Sequence, residues 1–128
     1  MLLMKRHTLF VYGTLKRNYS NSYLLQTSEY LGEGRTHEQF AMYVQGIPYV
    51  LKTEQRYCIH GELYVISSET LKRLDTLEGH PDWYRREQVA IVDANKQIII
   101  AWMYLYPEKI GTLNPDGHYL QRMTSTNC

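Results

Sequence analysis

Thr8-Leu9-Phe10-Val11-Tyr12-Gly13-Thr14-Leu15-Lys16-Arg17 is the stretch around which this chain is organised. Leu9–Tyr12 is an unbroken apolar run that stops at a glycine, which reads as a buried strand (about His7–Tyr12) emptying into a tight turn. Glycine tolerates positive φ and lets a ligand approach the main chain closely. Such a turn can offer several amide N–H groups to an anion or a carbonyl oxygen. The plainer reading is a first strand with an ordinary turn, and the stretch alone does not choose between the two. Lys16-Arg17 either steers a substrate carboxylate or is a solvated pair.

Composition narrows the rest. With 128 residues the chain fits one domain with a modest core, spanning 1–128. A net charge of +1 argues against a broad nucleic-acid footprint. No apolar run approaches the roughly 20 residues of a membrane helix. Met1–Arg6 is too short for a signal peptide, with its charges on the wrong side. Cys58 and Cys128 lack metal-ligand spacing and read as free thiols in a reducing cytoplasm. The 12 tyrosines against 2 phenylalanines point to a small β-rich fold whose interior, or a cavity in it, is partly polar.

Further along, Ser22–Ser28 reads as a short helix or a strand, and Tyr30–Thr36 as a strand bent or bulged at Gly32 and Gly34. Phe40–Val44 and Ile47–Leu51 are short strands, the second at an edge or bulge because of Pro48. Tyr57–Ile66 is the clearest long strand, with close packing or a bend at Gly61. Arg86–Val92 and Gln97–Tyr106 flank a hairpin turn at 93–96. After Pro107 the period is lost, and a mobile tail is expected. The expected architecture is α+β: a small, closed or nearly closed, mostly antiparallel β-barrel with one or two flanking helices.

The second informative segment is Ser67–Tyr84, SSETLKRLDTLEGHPDWY. Ser67 or Ser68 is an N-cap, Gly79 a C-terminal stop and Pro81 a barrier to continuation. The helix then covers about Glu69–Glu78. Its apolar stripe is Leu71, Leu74 and Leu77, or Leu71, Leu74 and position 78. On the second alignment Glu78 lies on the inward face in the last turn. Burial and the negative end of the helix dipole both raise its pKa there, which suits a proton carrier near neutral pH. Asp75 adds repulsion if it points the same way. The alternative is a Glu78 bent out to solvent. His60 reads as a satisfied core residue and His80 as a loop residue. No serine-nucleophile elbow, zinc-binding HExxH, P-loop or dinucleotide fingerprint is present, so an enzyme built on this chain is expected to use no metal, no cofactor and no covalent nucleophile.

With both segments in hand, the chain resembles the γ-glutamylcyclotransferase-like (AIG2-like) family, and within it the γ-glutamylamine cyclotransferase branch. The resemblance runs from about Leu9 to Tyr106. It rests on Val11–Arg17 with Asn21, Leu24 and Leu25; on Ile47-Pro48-Tyr49; on Gly61-Glu62-Leu63-Tyr64; and on Leu74-Asp75-Thr76-Leu77-Glu78 followed by Pro81 and Tyr84-Arg85-Arg86. Asn18 departs from the family's frequent glycine, although asparagine also tolerates left-handed geometry. The resemblance implies release of 5-oxoproline from a γ-glutamyl compound by attack of the substrate's own α-amine. It implies Glu78 as general acid and base, the amides of Gly13, Thr14 and Leu15 around the glutamyl group, and Tyr84 and Tyr104 near the ligand. Tyr12 stands as a substrate-binding or purely structural residue, and Asn21 as a loop brace. The partner it implies is a small γ-glutamyl molecule. Other γ-glutamyl metabolites or peptides, and a non-catalytic module that binds a small metabolite, remain as alternatives. The sequence leaves the leaving amine and the oligomeric state open.

Overall fold

The computed structural model describes residues 5–120. Met1–Met4 and Cys128, with the readings made of them above, lie outside the described residues. The strands are β1 (Arg6–Val11), β2 (Glu29–Thr36), β3 (Ala41–Gln45), β4 (Ile47–Leu51), β5 (His60–Ser67), β6 (Arg85–Asp93), β7 (Ile98–Leu105) and β8 (Thr112–Leu113). The helix α1 covers Ser68–Glu78, and Ser22–Leu25 forms a single 3-10 turn. Five strands close a barrel in the order β1-β5-β2-β6-β7. Its pairings are antiparallel except where β7 meets β1 in parallel, which closes it. A smaller sheet, β4-β3-β8, leaves β4 and its Pro48 at an edge. That is where a residue without an amide N–H can sit.

The apolar run in β1 is buried on both faces for different reasons. Phe10 and then Tyr12 point into the barrel with Leu63, Ile91 and Met103. Leu9 and Val11 point outward, where Leu71 and Leu74 of α1 cover them together with Tyr64 and Ile66. The register decides where α1 ends. β5 runs antiparallel to β1 and finishes with Ser67 opposite Arg6, at the far end of β1 from Gly13. Ser67 caps the helix, its hydroxyl accepting from the Thr70 amide at 3.1 Å. Eleven helical residues advance about 16 Å, close to the length of a six-residue strand. The helix thus doubles back along β1 and brings Glu78 level with the turn that follows Val11. Gly79, at φ 68°, ends it in the left-handed conformation.

Three expectations need correcting. Tyr57–Ile66 is not one strand: β5 starts at His60, because Ile59 exchanges bonds with Thr36 and Tyr57 bridges Phe40. The Ser22–Ser28 helix shrinks to its single 3-10 turn. The residues after Pro107, expected as a loose end, are built into the fold as far as Tyr119. Thr112 and Leu113 pair with β3, and Tyr119 is buried against the barrel core. Their anchoring is through individual side chains, so no hydrophobic period marks it.

Candidate active site

The turn after β1, the start of β4, the end of α1, the residue before β6 and the end of β7 surround one cleft. Phe10, Val11, Tyr12, Gly13, Thr14, Leu15, Ile47, Pro48, Glu78, Tyr84 and Tyr104 line it, around about 420 Å³ of empty space that is partly open to solvent. Every residue expected at the site from sequence is therefore on its wall. Phe10, Val11, Ile47 and Pro48 were not expected there. Pro48 had a signal in the Ile-Pro-aromatic step, but an edge proline says nothing about what it faces.

The turn is held without spending its leading amides. Lys16 donates its N–H to the Gly13 carbonyl at 3.0 Å, and Asn21 donates its N–H to the Thr14 carbonyl at 2.9 Å. The Asn21 side-chain amide also donates to the Thr14 hydroxyl at 2.8 Å, making Asn21 the loop brace. The N–H groups of Gly13, Thr14 and Leu15 donate to no acceptor among the described residues. Gly13 is needed for proximity rather than for positive φ: a Cβ there would lie 2.8 Å from Pro48 Cγ on the opposite wall. Asn18 does adopt the left-handed conformation, φ 69°, that its side chain tolerates.

Glu78 lines the same cleft as this turn. Burial pushes its carboxyl up to about 7, and no ion pair or hydrogen bond relieves it among the described residues. Leu71 and Leu74 are buried while Leu77 is 45% exposed, so the helix is aligned with position 78, not 77, toward the cleft. The repulsion expected from Asp75 does not arise. Asp75 instead takes Arg86 in a two-pronged ion pair, 2.8 Å from Nε and 3.1 Å from Nη2, and accepts from the Tyr104 hydroxyl at 2.6 Å.

The tyrosine hydroxyls are structural donors. Tyr12 donates to the Tyr104 carbonyl at 2.6 Å and Tyr84 to the Pro48 carbonyl at 2.9 Å. Burial raises the pKa of Tyr12, Tyr84 and Tyr104, so all three stay neutral while their rings line the cleft. The partly polar interior inferred from the tyrosine count is this wall.

Other candidates fall away from the cleft. Half-buried Lys16 reaches the Tyr119 carbonyl and exposed Arg17 lies over the Tyr30 ring, so neither lines the cleft and only Arg17 is solvated. His80 accepts from the Arg86 amide. His60 is a half-buried residue stacked on His118, 3.8 Å between ring centres, rather than a core histidine. No group of His, Cys, Asp and Glu among the described residues is arranged to hold a metal ion. No helix there is long and apolar enough to cross a membrane.

A small closed barrel carrying one helix is an architecture found in solved structures. Residues 9–121 match the family described as gamma-glutamyl cyclotransferase, AIG2-like, and the chain belongs to it. A protein of Methanocaldococcus jannaschii named "Putative gamma-glutamylcyclotransferase" is 46% identical over 112 residues, covering 87% of this chain and 93% of that one. The Rattus norvegicus protein named gamma-glutamylaminecyclotransferase is more distant, 36% identical over 92 residues, which is 65% of this chain and 62% of its own. Among solved structures, an AIG2-like protein of Mus musculus superposes with a TM-score of 0.70 at 24% identity, covering 86% of this chain and 96% of that one. A Pyrococcus horikoshii protein gives 0.73 at 23%, covering 88% of each. At these identities the superpositions establish the fold.

Proposed function

We propose that the protein releases 5-oxoproline and a free amine from a γ-glutamyl amine, with Glu78 carrying the protons. The observation that bears most weight is a largely desolvated carboxyl, unpaired among the described residues, on the same cleft as a turn whose three leading N–H groups have no protein acceptor there. A reaction whose nucleophile is part of the substrate needs no serine or cysteine. It needs the γ-glutamyl chain folded so that its α-amine sits against its own γ-carbonyl. The amides of Gly13, Thr14 and Leu15 suit the glutamyl carboxylate or the oxyanion that forms on the γ-carbonyl.

Ionised Glu78 takes a proton from the α-ammonium. The freed amine attacks the carbonyl carbon of the γ-amide, and a ring C–N bond forms as the carbonyl becomes an oxyanion. As the oxyanion collapses, the bond to the distal nitrogen breaks and Glu78 returns the proton there. Over the cycle two of the three α-ammonium protons move to the leaving amine and one stays on the lactam nitrogen, so no outside reactant is consumed. A carboxyl titrating near 7 both accepts and donates without a large penalty.

Among the described residues, no lysine or arginine lines the cleft. This favours a leaving group with no carboxylate beside the scissile nitrogen, as in γ-glutamyl-ε-lysine, over a γ-glutamyl peptide, whose next carboxylate or amide follows immediately.

The test is a panel of γ-glutamyl-ε-lysine, γ-glutamyl alkylamines and γ-glutamyl dipeptides, with 5-oxoproline as the readout. Turnover is expected on the amines, and Glu78→Gln should lose at least about a hundredfold in kcat, the size of a general acid–base contribution, while keeping its fold. Near-native activity in Glu78→Gln would sink the mechanism. Preference for the dipeptides would sink the substrate assignment.

A further inference from the structure

Tyr119 lies far from the cleft in sequence and does not line it, yet it is bonded to both cleft walls. Its hydroxyl donates to the Gly46 carbonyl at 2.9 Å, at the tip of the β3–β4 hairpin, one residue before Ile47 and Pro48. Its own carbonyl accepts from Lys16 Nζ at 2.7 Å, directly after Leu15 in the turn that follows β1. Tyr19, further along the same loop, donates its hydroxyl to that carbonyl at 3.4 Å. The ring is only 5% exposed and packs into the barrel-side core, so both bonds are made from a fixed point. Gly13 and Pro48 already stand as close as a missing Cβ allows.

We infer that Tyr119 is a positioning residue that sets the distance between the Gly13–Leu15 turn and the Ile47–Pro48 wall, and so the affinity of the cleft for the γ-glutamyl group. The segment containing β8 thus braces the site from behind instead of covering it. Tyr84 holds Pro48 from the helix side, but Tyr119 is joined to the hairpin and the turn at once. Cutting the Tyr119 hydroxyl frees the hairpin tip. Cutting the Lys16 ammonium frees the turn. Either change widens the gap that the substrate must bridge, while Glu78, on α1, keeps its surroundings.

This inference rests on the γ-glutamyl reading for its kinetic arm only. Tyr119→Phe and Lys16→Met are compared with the unmodified chain by steady-state 5-oxoproline release from γ-glutamyl-ε-lysine. Hydrogen exchange is followed in peptides covering 12–17, 41–51 and 68–78. Each variant should raise KM about three- to tenfold, the size of one hydrogen bond, with kcat within about twofold. Exchange should quicken in 12–17 and 41–51 and stay unchanged in 68–78. Lys16→Met leaves the buried ring intact, so it decides the matter if Tyr119→Phe fails to fold. Unchanged exchange in both loops overturns the inference, as does unchanged KM in an active enzyme. Faster exchange in a chain that turns over no γ-glutamyl compound leaves the brace standing and removes the proposed activity.

Discussion

Asp75 and Glu78 stand one helical turn apart on α1, yet their carboxyls are held in opposite states. For Asp75, burial is the largest single influence and pushes upward, but Arg86 and the Tyr104 hydroxyl together outweigh it and keep the group below its ordinary value. For Glu78, burial acts with nothing to oppose it. One helix end therefore carries a permanent anion, tied to β6 and β7, beside a carboxyl poised to change state. Arg86 is occupied by Asp75 and stacks over the Trp102 ring at 4.2 Å, which directs its charge away from the cleft.

The proposed reaction needs Glu78 ionised to begin. kcat/KM should therefore rise with pH through about 7, where burial places that carboxyl. Asp75→Asn leaves the Arg86 guanidinium and the Tyr104 hydroxyl, both held at the end of α1, without a charged acceptor. An uncompensated cation there favours ionised Glu78, so the rising limb should move to lower pH, by about half a unit to one unit. A pH–rate profile of both proteins checks this. A uniform loss of activity with the limb unmoved would assign Asp75 a structural role alone.

Stability should carry the opposite signature. The folded-state pKa of Glu78 is raised, so the native state binds more protons than the unfolded chain between about 4.5 and 7. Stability is thus fully present below 4.5 and declines as pH rises through 7. Above 7 the buried charge costs on the order of 3 kcal/mol. Glu78→Gln removes that cost, so its melting temperature should exceed that of the parent at pH 8 and match it near pH 5. Thermal unfolding at the two pH values gives the answer, and a variant less stable at pH 8 would contradict it.

Gly13→Ala tests the contact between the cleft walls. Gly13 does not use the left-handed conformation, so the backbone accepts alanine; the added methyl meets Pro48 instead. Relieving that overlap should cost about 1–3 kcal/mol and weaken substrate binding as the wall shifts. Urea unfolding together with KM measures both effects, and no change in either would mean that Pro48 yields freely.

Much of the site was legible because its signals are local. The apolar run ending at Gly13, the serine cap and the glycine stop of α1 each act through their own neighbours. So does the inward alignment of position 78, which Leu71 and Leu74 define once Leu77 is set aside. Long-range partners were not legible. Asp75 gives no hint in its own turn that it will meet Arg86, 11 residues on, because only the return of β6 to the helix end brings them together. The early start given to β5 failed for the same reason: Thr36 takes the bonds that Ile59 would need to extend the strand. The residues after Pro107 carry no period, since Tyr57, Tyr119 and Asn114 anchor them singly.

By itself the sequence determined that this chain makes a small β-rich domain with an apolar strand feeding a main-chain turn, and that one glutamate closes a capped helix. Those follow from periodicity, capping and glycine placement, which act over a few residues. Only the tertiary structure decided that the glutamate and the turn share one cleft, because their meeting depends on the antiparallel register of β1 with β5 and on a helix long enough to retrace it. It also decided which carboxyl is left unpaired, since that depends on where an arginine from another strand comes to rest.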